Sequence, residues 1–342
     1  MFNDFIPDTT ANGVNPSGAQ PPRLEGPQPQ EEQPKVSIRK PKPERVICGL
    51  FVATLWLLAI FFLPPWSLVI LVALSALICL FELRSMLKRV GYVLPFFWMA
   101  VMTALWYTAM YLSMHYAKGD ATELGLTMLV PFVLLPVFVM VLFFRVLLSR
   151  RAQKPMETAA LAVGAFIYVP YLLSFLVPIA LYPKFDVSAG IFMAFSLVLV
   201  TKLSDTGAYF VGTMLGSHKM CPRLSPGKTW EGTCGGYLVS MIGALIIIAA
   251  AYIFKDATCL DFVRALTDTP AKVMWALLTV IVLVTVGICG DLLESLFKRQ
   301  CGVKDSSALF PAMGGFFDTF DSIIFVPAAF IFMVALGGLI LS

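Results

Sequence analysis

The chain has 342 residues, of which 58% are hydrophobic and 13% charged, with a formal net charge of +4. This balance leaves too little polar surface for a soluble domain of that size, and apolar runs without a charge are long enough to cross roughly 30 Å of hydrocarbon. Seven scattered cysteines with no C-x-x-C pair, and only two histidines, His115 and His218, argue against a disulfide framework or a zinc site.

In chain order, residues 1–45 come first, with nine prolines from Pro7 to Pro43 and no apolar run. Such a segment buries too little surface to fold alone and reads as a disordered cytoplasmic tail. Residues 46–342 read as an all-α membrane domain, a polytopic transmembrane helical bundle of about nine spans. The spans lie near 46–63, 66–82, 93–116, 127–147, 157–181, 187–214, 234–254, 274–290 and 323–341. Pro64-Pro65 separates the first two, because proline cannot continue a helix there.

Lysine and arginine set the orientation. With the N-terminus cytoplasmic, the tail and the loops after spans two, four, six and eight hold 19 basic residues, against five on the opposite side. The expected location is therefore the cell inner membrane, multi-pass, with Ser342 outside. No internal repeat of the kind transporters carry is visible.

Charges near the membrane interior are costly and usually functional. Glu82, at the end of span two, is explained by pairing with Arg84 or by facing the interface. The C-terminal half differs. Span six ends in Lys202, Ser204 and Asp205, and the loop after it carries Lys219, Arg223, Ser225 and Lys228. Span eight ends in Asp291, and its helix continues through Glu294, Ser295, Lys298 and Arg299, so Asp291, Ser295 and Lys298 share one face. Gly314 and Gly315 lead to Asp318, Asp321 and Ser322, which share another face.

Asp205, Asp291, Asp318 and Asp321 thus gather at the cytoplasmic ends of spans. Converging carboxylates without histidine suit a hard cation such as Mg2+, lysine and arginine suit phosphate oxygens, and glycines allow close backbone approach. The implied chemistry is phosphoryl or nucleotidyl transfer at a membrane surface, with two divalent or mixed cations. Gly227-Lys228-Thr229 is not a phosphate loop, since the required earlier glycine is Pro222.

Ser295-Leu296-Phe297-Lys298-Arg299, Lys304-Asp305 and Pro311 to Asp321 keep the spacing of a 27-residue signature, S-x-x-K-R-x-x-x-x-K-D followed by H-G-G-x-x-D-R-x-D. With Asp205 to Gly212, Ser225 to Gly232 and Gly290 to Ser295, this stretch resembles the phosphatidate cytidylyltransferases, also called CDP-diacylglycerol synthases. The resemblance covers roughly 200–322. It departs at Met313 and Thr319, where the signature has histidine and arginine.

The resemblance implies transfer of CMP from CTP to phosphatidate, releasing pyrophosphate. It places Asp291, Asp318, Asp321 and Lys298 as catalytic residues, with Asp291 and Asp318 as metal ligands. Asp205, Lys219, Arg223, Ser225, Lys228, Ser295, Arg299, Lys304, Asp305, Gly314 and Gly315 would bind substrates. Partners would be CTP, phosphatidate and membrane lipid, with no nucleic acid, and the family suggests a homodimer. A CTP-dependent lipid kinase of the polyprenol type, a transporter and a non-catalytic paralogue are the rival readings.

Overall fold

A computed structural model describes residues 64–116, 121–148, 154–307 and 314–341. Its helices follow the apolar runs. They are α1 (Pro65–Arg89), α2 (Phe96–Tyr116), α3 (Ala121–Leu147), α4 (Pro155–Ala180), α5 (Val187–Leu215) and α6 (Trp230–Ile253). After them come a short helix α7 (Asp261–Ala265), then α8 (Pro270–Gln300), a four-residue turn of helix α9 (Phe317–Phe320) and α10 (Val326–Leu341). Six of these, α1, α2, α4, α5, α6 and α8, are long and apolar enough to cross a membrane, and Val133–Val146 and Val326–Ile340 are shorter apolar stretches. The expected first span, 46–63, and the proline-rich tail lie outside the described residues.

The helix starts are written locally. Pro65 and Pro270 occupy first-turn positions, where a missing N–H costs nothing. Asp186, Thr229 and Thr269 accept hydrogen bonds from the N–H groups of Ser188, Gly232 and Lys272, capping α5, α6 and α8. At the other end of α8, Gly302 takes a φ of 67°, and Val303 N–H donates to Lys298 O at 2.9 Å, closing the last turn as a glycine C-cap does.

One expectation is corrected: the bundle is not purely α. Between α5 and α6 the chain forms an antiparallel hairpin of β1 (Lys219–Cys221) and β2 (Ser225–Thr229), with Lys219 opposite Thr229 and Cys221 opposite Ser225. The chain leaves α5 through Gly216 in an extended conformation, and Pro222 starts the reversal, which Leu224 N–H closes on Cys221 O at 3.2 Å.

The core joins α1, α2, α4, α5 and α10 through buried side chains such as Leu80, Met99, Phe166, Ala189 and Phe330. Outward-facing residues are also apolar: Ile70, Leu74, Ile78 and Phe81 form an exposed stripe on α1. Such a surface suits lipid rather than water.

α5 and α6 make the closest helix contact, through glycines. A Cβ on Gly207 would sit 2.7 Å from Gly235 O, and one on Gly232 would sit 2.7 Å from Ala208 O. Backbones approach this closely in membranes where the interface residues are small.

Helix length sets where the charges end up. At 1.5 Å per residue, Asp205 lies ~27 Å along α5 and Asp291 ~32 Å along α8 from their starts. Both distances match the roughly 30 Å hydrocarbon thickness of a bilayer, which puts each residue at the far end of an apolar run.

Candidate functional site

Three carboxylates meet at that end. One oxygen from each of Asp291, Glu294 and Asp321 lies within 4.8 Å of the others, the one such group among the described residues. Asp291 and Glu294 are one turn apart on α8. Asp321 follows α9, and the approach depends on Gly290: a Cβ there would lie 2.5 Å from Asp321 O.

Three lysines surround the group. Lys228, from β2, reaches Asp291 at 2.7 Å and so ties the hairpin to α8. Lys298 lies 2.6 Å from Glu294 and 2.8 Å from Asp318. Lys202, on α5, contacts Asp205 and the Ser322 hydroxyl, each at 2.9 Å, and Ser322 Oγ in turn lies 2.9 Å from Asp205 Oδ2.

Glu294 is fully buried, and despite the nearby Lys298 neither of its oxygens has an aligned hydrogen-bond donor. Burial, and then the Asp291 charge, push the Asp321 carboxyl well above the ordinary carboxylate range, against the pull of Lys202. Carboxylates crowded this way, with no histidine or cysteine in the group, fit a hard cation.

Asp318 occupies a different position. It accepts from Lys298 Nζ at 2.8 Å, Ser306 N–H at 3.0 Å and Gly315 N–H at 2.6 Å, and Ser306 Oγ lies 3.0 Å away. Burial pushes its carboxyl up, but the Glu294 and Lys298 side chains and the Gly315 N–H outweigh that and hold it below its usual value. Of the two expected metal ligands, the structure brings Asp291 into the three-carboxylate group. It leaves Asp318 outside, with both oxygens engaged by protein donors, and Glu294 stands where Asp318 was expected.

The other expected residues spread around this centre. Lys219 and Arg223 are exposed on the hairpin, and Ser225 is half-buried at the start of β2. Arg299 Nε reaches Leu224 O at 3.5 Å, so the end of α8 meets the hairpin. Ser295 is buried on α8 beside Glu294, and Lys304 and Asp305 are exposed beyond α8. Gly314 has a φ of 93°, which disfavours any L side chain, and a Cβ on Gly315 would overlap Ser306 Oγ and the Glu82 carboxylate. Thr319 turns its hydroxyl onto Gly315 O at 3.4 Å. Met313 lies outside the described residues.

Glu82 is the residue the sequence reading undervalued. It is buried in α1 and does not pair with Arg84, whose guanidinium lies 5.4 Å from the Phe96 ring. Instead it accepts from Phe316 N–H at 3.0 Å, Phe317 N–H at 2.8 Å, Ser306 Oγ at 2.9 Å and Ser307 Oγ at 2.6 Å. Glu82 and Asp318 thus share Ser306 and fix the loop that delivers Asp321. A lone carboxylate closing a long apolar run is the signal that marks it in the sequence.

A family model described as the cytidylyltransferase family matches residues 43–336. Among similar curated proteins, the phosphatidate cytidylyltransferase of Haemophilus influenzae is 35% identical over 134 residues, which is 39% of this chain and 42% of that protein. The phosphatidate cytidylyltransferase of Staphylococcus saprophyticus is 41% identical over 140 residues, 41% of this chain and 47% of that protein. That of Staphylococcus aureus is 40% identical over 140 residues, again 41% and 47%. The chain spans a little under half the length of these relatives.

Proposed function

This chain belongs to the cytidylyltransferase family, and from that premise we propose that it transfers CMP from CTP to phosphatidate, giving CDP-diacylglycerol and pyrophosphate. The supporting observation is the Asp291, Glu294 and Asp321 group, ringed by Lys202, Lys228 and Lys298, at one end of an apolar bundle. A water-soluble triphosphate and a membrane lipid phosphate can both reach such a place.

In this reading a phosphate oxygen of phosphatidate attacks the α-phosphorus of CTP. The bond from that phosphorus to the bridging oxygen breaks, and pyrophosphate leaves. Lys228, Lys298 and Arg299 neutralise phosphate oxygens, with Lys219, Arg223 and Lys304 as outer contacts. The Gly314-Gly315 turn lets backbone approach the nucleotide. A magnesium ion held by Asp291, Glu294 and Asp321 would supply positive charge to the phosphoryl oxygens. The same reading carries nine spans, a cytoplasmic N-terminus, an inner-membrane location and a homodimer.

The test is turnover of CTP labelled at its α-phosphate, with magnesium and phosphatidate in mixed micelles and the purified full chain. The expected products are labelled lipid and unlabelled pyrophosphate. Release of labelled CDP with phosphorylated lipid would identify a kinase instead.

A further inference from the structure

Tyr168 lies in α4, where the helix widens to a π turn over Ile167–Tyr171. Pro170 sits inside that turn, and its carbonyl accepts the Tyr107 hydroxyl at 3.0 Å, which pins the turn to α2. Widened turns of this kind re-aim side chains and recur at functional sites. Here the re-aimed side chain is Tyr168. Its ring is wedged among Phe297, Phe317 and Phe325 at centroid distances of 5.5, 5.9 and 5.5 Å. Those three phenylalanines come from the segments that carry Glu294, Asp318 and Asp321.

The ring is therefore held from three sides, yet its hydroxyl has no hydrogen-bond partner and is shielded from solvent. A buried tyrosine hydroxyl normally finds a partner. Glu294 also lacks an aligned hydrogen-bond donor, its Oε2 meeting the Lys298 ammonium at 2.6 Å. Asp321, Glu294 and Asp291 are all within electrostatic range of the Tyr168 oxygen. A buried donor without a partner, within electrostatic range of three carboxylates, marks a place where an oxygen ligand completes the pairing.

We propose that Tyr168 is a ligand-binding residue of this site, its hydroxyl donating to an oxygen held at the Asp291, Glu294 and Asp321 group. That oxygen is a phosphoryl oxygen of the nucleotide or a water on the bound cation. The inference rests on the proposed reaction for its nucleotide form and on the acidic group alone for its cation form.

The experiment is Tyr168→Phe in the full-length protein, which keeps the ring and its three aromatic neighbours. Mn2+ binding without nucleotide tests the cation-bound water, and CTP binding at saturating Mn2+ without phosphatidate tests the phosphoryl oxygen. One of these affinities falls by roughly tenfold, and kcat/KM falls with it by ten- to a hundredfold, the size of one lost hydrogen bond to a charged group. The melting temperature stays within a few degrees. Replacing Tyr168 by 3-fluorotyrosine, a stronger donor of nearly the same shape, shifts the same affinity and covers the case in which the phenylalanine variant misfolds. If both affinities and turnover stay within twofold of wild type in these variants, the inference is overturned. A wild-type protein that binds Mn2+ but turns over no CTP removes the proposed reaction, and the Mn2+ measurement still decides the role of Tyr168.

Discussion

Asp291 and Lys298 interrupt apolar helix, so their importance is visible in one dimension. Glu294 is equally visible as a charge, but the sequence does not say which of Asp318 and Glu294 turns towards Asp291. In the structure Glu294 joins Asp291, while Ser306 and Gly315 engage Asp318. The two alternatives separate by mutation. Glu294→Gln weakens Mn2+ binding by roughly tenfold or more, whereas Asp318→Asn lowers the melting temperature and leaves Mn2+ affinity nearly unchanged. Equal loss of affinity in both variants would restore Asp318 as a ligand. Asp321 adds a pH dependence. Its raised carboxyl pKa means that a cation displaces a proton, so affinity tightens as pH rises, by at most about tenfold per unit for one proton. Without a cation, the folded state holds a proton that the unfolded chain gives up, so stability falls as pH rises from the ordinary carboxylate range up through the raised native value, and added Mn2+ offsets the fall. Titrations and thermal melts at pH 6 and 8 check both signs.

Elements were easier to read than side chains. Every described span expected from hydropathy is a helix, because twenty apolar residues in lipid must satisfy their own backbone hydrogen bonds. The hairpin was not legible, since strands of three and five residues carry no periodic signal. Its position nevertheless depends on α5 and α6. Gly235 abuts α5 so closely that a Cβ would overlap the Val211 side chain. Gly235→Leu forces the two helices apart at a cost of about 1–3 kcal/mol and moves Lys228 away from Asp291. The expected result is a lower melting temperature together with a raised KM for CTP. A changed KM with no change in melting temperature would count against this coupling.

For the whole molecule, sidedness comes from the basic residues alone, and labelling checks it. In a cysteine-free background, a cysteine at Arg223 should react with an impermeant reagent only from the cytoplasmic side of vesicles, and one at Lys255 only from the other. The opposite pattern would invert the topology. Glu82 links the earliest described helix to the last loop. Glu82→Ala removes the shared acceptor of two backbone N–H groups and two serine hydroxyls and costs about 2–5 kcal/mol, read as a fall in melting temperature in detergent. The partners of Glu82 lie 224 to 235 residues further along the chain. At ribosomal rates of about 5–20 residues per second, they emerge on the order of 10–50 s after it. Throughout that interval the Glu82 carboxylate is without these four donors. The site is therefore among the last parts of the protein to mature, and a ribosome that stops before residue 317 leaves every earlier helix without it.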